Sequence, residues 1–356
     1  MRILFISRAY PPIVGGIENQ NYELHTWLSK IAEVKSIINR KGKFFLPFFI
    51  PYAIWRALFL LPQCDAILLG DGVLSFIGWK LKFLTKKPVI CVVHGLDLTY
   101  KLKIYQWFWV KYFIPKMDRL IAVGNETVKV GIKKGIPEDK FIFIPNGVDS
   151  TRCVGDYSRE DLQKVLKTNL GDKKIILTSG RLVKRKGVAW FVREVMPKLP
   201  ENMIYVVAGD GPDFKNISQA VEENKLSDRV EMLGYVSDKV RNILFNTADI
   251  FVQPNIKIEG DVEGFGISVI EAGACGKVVL AANIEGLKDA VKDGENGFLV
   301  ESGNAEAWAQ KITEVLNDDN LRREFGIKTS QYVMANYGWG KIAQRYLEEI
   351  EKVINK

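Results

Sequence analysis

The sequence predicts an α/β protein of two doubly wound, parallel-sheet domains that face each other across a cleft. Three observations lead there. At 356 residues the chain is longer than one ordinary core usually serves. Short β-branched runs alternate with longer helical patterns, the rhythm of parallel sheets covered by helices. That rhythm restarts after Pro145-Asn146-Gly147-Val148-Asp149, a turn-rich segment suited to a linker.

In the first half, strands are expected at 3–7, 34–38, 66–69, 88–93, 120–123 and 141–144. The second half offers 174–178, 204–208, 230–233, 250–253, 278–281 and 297–300. Helical stretches fall at 17–31, 188–199, 214–226 and 305–316. Residues 1–149 then form one Rossmann-like domain and 150–338 a second, with a terminal helix over 339–356 packing back on the first. In such folds ligands bind beyond the carboxyl ends of the strands.

Two segments of the first half stand apart. Residues 44–62 are almost wholly apolar, but Pro47 and Pro51 are expected to break a helix there. Arg56 lies within the run, which is barely long enough to cross a bilayer, so a buried or membrane-skimming helix is expected instead. Over 101–116, Tyr105, Trp107, Phe108, Trp109, Tyr112 and Phe113 interleave with Lys101, Lys103, Lys111 and Lys116. That mixture suits a lipid interface, with packing of half the aromatics into the core as the competing expectation.

Hydrophobic residues at 47% and charged residues at 26% fit a folded globular chain rather than a disordered one. Cys64, Cys91, Cys153 and Cys275 form no CxxC pair, which argues against a zinc site or a disulfide framework and suits a reducing, cytoplasmic setting. The opening Met1–Ser7 run is too short for a secretory signal and reads as a buried strand. Residues 1–150 hold 21 Lys/Arg against 11 Asp/Glu, whereas the remainder is near neutral. A basic half joined to a neutral half implies something anionic, such as a membrane surface, a lipid phosphate or nucleic acid, with excess lysines that merely keep the protein soluble as the competing reading. No nucleic-acid motif is present, and peripheral contact with an anionic membrane surface on the cytosolic side is the expectation carried forward.

The chemistry concentrates in Glu263-Gly264-Phe265-Gly266-Ile267-Ser268-Val269-Ile270-Glu271-Ala272. Glycines at a helix start leave backbone N–H groups open to an anion, and the helix dipole favours it. One carboxylate precedes that helix and another lies inside it, a sensible arrangement for gripping sugar and ribose hydroxyls. Either glutamate alone is an ordinary helix-terminus residue.

Their E-x7-E spacing resembles the donor motif of the family 4 (group 1) glycosyltransferases, which have the two-domain GT-B fold. Four further matches occur in the family's order. They are the loop Pro11-Pro12-Ile13-Val14-Gly15-Gly16-Ile17-Glu18, then His94-Gly95-Leu96-Asp97, then Gly180-Arg181-Leu182 with Lys186-Gly187, and finally Asp293-Gly294-Glu295-Asn296-Gly297-Phe298-Leu299-Val300. Five ordered matches carry weight that a lone glycine loop does not.

The resemblance implies a retaining hexosyltransferase that uses a nucleotide-diphosphate sugar, UDP- or GDP-linked, with no metal and no other cofactor. Its acceptor would be a glycan or lipid-linked precursor in cell-envelope polysaccharide or glycolipid synthesis. Arg181 and Lys186 would bind the diphosphate and offset the charge that grows on the leaving group. Glu263 would hold donor-sugar hydroxyls and Glu271 the ribose, while Gly264, Phe265, Gly266 and Ile267 offer backbone to sugar or phosphate. Gly15, Gly16 and Gly180 would give the donor close approach, with no room for a side chain at Gly16. Tyr235 and Val236 lie where the base is read.

His94 would stabilise the transition state, and Asp97 would orient it or, with Glu18, face the acceptor; His25 has no comparable context. Asp261-Val262-Glu263 has the look of a metal-binding triplet, but its second carboxylate already belongs to the E-x7-E match. No further carboxylate is placed as a covalent nucleophile, which favours same-face transfer over double displacement. Leu68-Leu69-Gly70-Asp71-Gly72 departs from relatives that carry a histidine there, leaving the acceptor side open.

Other classes fit less well. A non-hydrolysing sugar-nucleotide epimerase would need no acceptor, and the transferase motifs argue against it. A dinucleotide oxidoreductase lacks its G-x-G-x-x-G turn after the first strand. A basic, non-catalytic sugar- or nucleic-acid-binding module would leave the donor motifs without purpose.

Overall fold

The computed structural model describes residues 1–13, 15–149, 153 and 155–355. Val14 of the N-terminal glycine loop lies outside the described residues. The chain forms two compact units, Met1–Gly147 with Trp339–Lys356, and Val148–Gly338.

In the first unit, β1 (Arg2–Ser7), β2 (Glu33–Ile38), β3 (Ala66–Leu69), β4 (Val89–Val93), β5 (Arg119–Ala122) and β6 (Phe141–Phe143) form one parallel sheet in the order β2-β1-β3-β4-β5-β6. Helices α1 (Gly16–Leu28), α2 (Leu46–Leu60), α3 (Ser75–Thr85), α4 (Gly95–Thr99), α5 (Lys103–Tyr105, continued by the wide π turns Gln106–Phe113) and α6 (Asn125–Lys133) connect the strands. Successive strand residues point to opposite faces, so the apolar runs feed two separate layers. Leu4, Ile6, Ile67 and Leu69 pack beneath α2 and α3, whereas Ile3, Phe5, Ala66 and Leu68 pack with α1 and the C-terminal helix Trp339–Ile354. Burial on both faces is why these strands read as unbroken apolar runs rather than as alternation.

The expected break at 44–62 does not occur. Pro47 sits in the first turn of α2, where its missing N–H has no helical partner to lose, and Pro51 is accommodated inside the helix. Nor is the helix buried: Phe49, Ala53 and Ala57 enter the core, and much of the rest is exposed. The 101–116 aromatics divide. Tyr105 and Phe113 are buried, and Trp109 donates its Nε1–H to the Val73 carbonyl at 2.7 Å, while Trp107, Phe108 and Tyr112 are exposed.

The second unit carries β7 (Lys174–Ser179), β8 (Met203–Ala208), β9 (Val230–Gly234), β10 (Ile250–Gln253), β11 (Val278–Ala282) and β12 (Phe298–Val300), in the order β12-β11-β10-β7-β8-β9 and all parallel. Its helices are α7 (Arg159–Leu166), α8 (Val188–Trp190, continued by Phe191–Val195), α9 (Phe214–Glu223), α10 (Asp238–Thr247), α11 (Ile267–Ala274), α12 (Leu287–Ala290), α13 (Ala305–Asn317) and α14 (Asp319–Tyr337). Strand order reverses between β7 and β10, a topological switch point. A buried polar chain crosses it: Tyr205 OH donates to Thr178 Oγ1 at 2.8 Å, and Thr178 donates to the Val252 carbonyl at 2.7 Å. The two sheets bear out the expected α/β class.

One expectation is corrected. Cys153 and Cys275 are paired as a disulfide across 122 residues, with Cα atoms 4.8 Å apart, inside the range a disulfide spans. Spacing along the chain excludes only local pairs, whereas the fold delivers the end of α11 to the segment before α7. Cys64 and Cys91 are free and buried.

Candidate active site

The carboxyl ends of β7 and β10 lead into a cluster of four charged residues, Arg185, Lys186, Asp261 and Glu263. Gly187, at φ 68°, lets the turn after β7 lie against the end of β10, where any Cβ would collide with the Pro254 carbonyl oxygen. Ile256 N–H then donates to the Arg185 carbonyl at 2.9 Å and fixes that approach. The consequence is an ion pair, Lys186 Nζ to Glu263 Oε2 at 2.6 Å, with both residues buried.

Glu263 has further partners. Asn255 Nδ2 donates to the same oxygen at 3.1 Å, and Arg185 Nε lies 3.5 Å from it. Arg185 also pairs with Asp261 at 3.0 Å, so the two carboxylates of the Asp261–Glu263 triplet both face cations. Burial pushes the Glu263 carboxyl up, but the Lys186 and Arg185 charges, with the hydrogen bonds from Lys186 and Asn255, outweigh it and hold the pKa at about 2. Glu263 is therefore an anion at neutral pH, able to accept hydroxyl hydrogen bonds but with no proton to donate.

The other donor-side residues surround this pair to different degrees. Arg181 follows β7 by two residues and is exposed. Gly180, at φ 141°, precedes it. Gly264 follows Glu263, and Gly266, at φ 93°, is the residue from which α11 starts at Ile267. The side chain of Phe265 is core, edge-on to Tyr337 at 5.7 Å, which leaves only its backbone for a ligand. Glu271 is the fifth residue of α11 and half-buried. Tyr235 and Val236 lie between β9 and α10, with Tyr235 72% exposed. Asp293 anchors the late turn by accepting from Leu299 N–H at 2.8 Å.

In the first unit the strand order reverses between β1 and β3, and Arg8 and Asp71 meet there. Arg8 Nε lies 2.9 Å from Asp71 Oδ1, and the Asp71 side chain is fully buried. Asp97 does not face outward as an acceptor residue would. Its carboxylate accepts from His94 N–H at 2.9 Å and from Gly72 N–H at 3.0 Å, tying the end of β4 to the end of β3. Burial, then the Asp71 charge, raise its pKa, with His94 and Arg8 opposing. His94 is itself 8% exposed, and its Nε2 has no hydrogen-bond partner among the described residues. A buried polar atom without a partner calls for an explanation, and a ligand contact is one.

Gly15 and Gly16 sit at the start of α1, where Glu18 lies in the first turn. A Cβ on Gly15 would strike the Glu18 carboxylate, whereas one on Gly16 meets nothing within 4 Å, so the expected lack of room at Gly16 does not come from protein atoms. The residues missed by sequence reasoning are Arg185, Asn255, Arg8 and Asp71. Each lies within a few residues of the carboxyl end of a strand beside a switch point, a signal present in the sequence only once the strand order is known.

Two family models match in tandem, Glycosyltransferase Family 4 over residues 19–152 and Glycosyl transferases group 1 over residues 159–332. An N,N'-diacetylbacillosaminyl-diphospho-undecaprenol alpha-1,3-N-acetylgalactosaminyltransferase of Campylobacter jejuni is 34% identical over 274 residues, covering 74% of this chain and 70% of that protein. The capsular polysaccharide biosynthesis glycosyltransferase CapM of Staphylococcus aureus is 26% identical over 390 residues, covering 99% of this chain and 96% of CapM. Among solved structures, Anabaena HepE in complex with UDP-glucose matches with a TM-score of 0.78 at 20% identity, covering 99% of this chain and 100% of that one, a likeness of fold. Sequence, fold and relatives agree: the chain is a glycosyltransferase and belongs to the family 4 (group 1) glycosyltransferases.

Proposed function

We propose that the protein transfers a hexosyl group, with retention of anomeric configuration and without a metal, from a UDP- or GDP-linked sugar to a glycan or lipid-linked acceptor. The observation that carries this reading is the buried Lys186–Glu263 pair at the switch point of the second unit, with the exposed Arg181 guanidinium just after β7 on the same connection as Lys186. A diphosphate would draw Lys186 and Arg181 to its oxygens, and a sugar hydroxyl would take the acceptor capacity of Glu263 in exchange. The charge building on the departing phosphate is then met by fixed cations. Glu271 is assigned to the ribose.

The family resemblance supports giving the reacting sugar to His94. The unpartnered Nε2 of that residue is consistent with the assignment. With Glu263 held anionic beside two cations, it is better suited to binding hydroxyls than to acid–base exchange. The departing phosphate then takes the acceptor proton on the same face. The undecaprenol-linked acceptor of the Campylobacter relative supports a lipid-linked acceptor here, and the capsular polysaccharide role of CapM supports cell-envelope polysaccharide synthesis.

A thermal-shift screen of UDP-, GDP- and ADP-sugars tests the donor. At a hundredfold excess over Kd the matching donor stabilises by about 2.7 kcal/mol, a rise of roughly 4 °C for a chain of 356 residues, because only the folded state binds it. Glu271→Ala is expected to abolish the rise, and an unchanged rise would place the ribose elsewhere. For the mechanism, NMR of the product is expected to show the donor's anomeric configuration, and an inverted product would overturn same-face transfer.

A further inference from the structure

The layer of α2, α3 and α5 presents a surface that transfer chemistry does not use. On α2 and the turn before it, Phe44, Phe48, Tyr52, Trp55 and Phe59 are exposed by 86, 68, 51, 56 and 58%. Their spacing of four, four, three and four residues puts them on a single stripe, opposite the buried Phe49, Ala53 and Ala57. α2 packs against α3 and α3 against α5, and these neighbours add exposed Phe83 and Trp107. Single exposed apolar residues are normal, but a contiguous aromatic stripe marks an interaction surface.

Charge identifies the occupant. Residues 34–117, which contain the whole layer, hold thirteen Lys/Arg and three Asp/Glu. Asp71 and Asp97 are buried, Asp65 pairs with Arg2, and Asp118 just beyond takes up Lys82, so the remaining accessible charge along this stretch is cationic. A two-fold dimer would lay this cationic patch against itself, which disfavours a second copy. An anionic bilayer supplies both complements, phosphates for the lysines and an acyl boundary for the aromatics. Spanning is excluded by packing, because one side of α2 belongs to the core of the unit and could not leave it without unfolding that core.

We propose that this layer docks on an anionic lipid bilayer, with α2 lying in the plane of the interface and the stripe from Phe48 to Phe59 inserted at the headgroup–acyl boundary. The proposal deepens the lipid-linked acceptor reading but stands on this surface alone, and its readout is separate from donor binding.

The test is sedimentation of the full chain with vesicles of phosphatidylcholine, with and without 30% phosphatidylglycerol (a chosen composition, roughly that of an anionic leaflet), at low and moderate salt. Binding is expected only to the anionic vesicles and should weaken with salt. The triple variant Phe48→Ser, Trp55→Ser, Phe59→Ser is expected to bind at least about tenfold more weakly, since it removes most of the apolar area the stripe would bury. Its thermal shift with the donor should be unchanged, which shows that the fold is intact. Absence of binding by the wild-type chain, or equal binding by wild type and variant, would overturn the proposal. So would a concentration-dependent dimer in ultracentrifugation that the variant abolishes, which would give the surface to a second copy. If vesicles bind but no nucleotide sugar does, the docking surface stands and the transferase reading fails; the reverse outcome removes only the docking surface.

Discussion

Replacing Glu263 with glutamine is expected to cost about 3 kcal/mol of folding stability at pH 7. The side chain lies 2.6 Å from Lys186, with both almost fully buried. Glutamine keeps the shape and the hydrogen bond to Asn255 but leaves a buried ammonium without its counter-charge, and breaking such a pair from one side costs about 3–5 kcal/mol. The depressed pKa of Glu263 gives a matching figure, since a fall from 4.5 to about 2 corresponds to roughly 3 kcal/mol.

The sign of the pH dependence follows. Because the folded pKa is the lower one, the contribution is complete above the unfolded value of 4.5 and is lost as pH falls through about 2. The gap between wild type and Glu263→Gln should therefore be full at pH 7 and close between pH 4.5 and 2. Urea unfolding across that range measures it. A gap that stays constant down to pH 2 would mean that the Lys186 pair does not hold Glu263 ionised.

Arg8→Ala should be comparably damaging, by about 3–5 kcal/mol at neutral pH, for the same reason applied to the other unit. Its guanidinium is 2.9 Å from Asp71, a carboxylate with no solvent exposure whose second oxygen has no hydrogen-bond partner among the described residues. The nearby Asp97 is already pushed up by burial and by the Asp71 charge, and Arg8 is one of the groups that opposes this. A carboxyl whose folded pKa is raised holds its proton more tightly when folded, so stability is lost as pH rises from 3.8 toward the folded value. Without Arg8 that loss should steepen, making the variant weaker at pH 7 than at pH 4. Asp71→Asn in the Arg8→Ala background removes the buried charge and should restore most of the stability. Unfolding curves of the single and double variants decide it, and an Arg8→Ala chain within 1 kcal/mol of wild type would show that the pair is not a structural element.

Much of the protein was legible in its sequence, for identifiable reasons. The twelve strands of the described residues fall at the expected runs, and inner strands such as β1, β3 and β4 are the plainest because a parallel strand buried on both faces reads as consecutive apolar residues in any order of strands. Gly187 and Gly266 sit where a side chain would be strained and clash with the Pro254 carbonyl or with Leu287, so their positions in the motifs reflect geometry as well as chemistry. Segment 44–62 departs from the proline rule because Pro47 falls in the first turn, which tolerates it, and Pro51 is carried inside α2, whose inner side is anchored in the core.

What the sequence alone determined is therefore local: the strands, part of the helices, and the family that the five ordered motifs resemble. Only the tertiary structure decided the partners. Arg8 meets Asp71 across 63 residues, Arg185 meets Asp261 across 76, and Cys153 meets Cys275 across 122. It also decided which side of α2 stays outside the core. Strand runs and turns are written in neighbouring residues, but contacts at such separations depend on sheet order, which places β1 beside β3 and β7 beside β10. That order is a property of how the whole sheet buries its apolar faces, and no stretch of the chain carries it by itself.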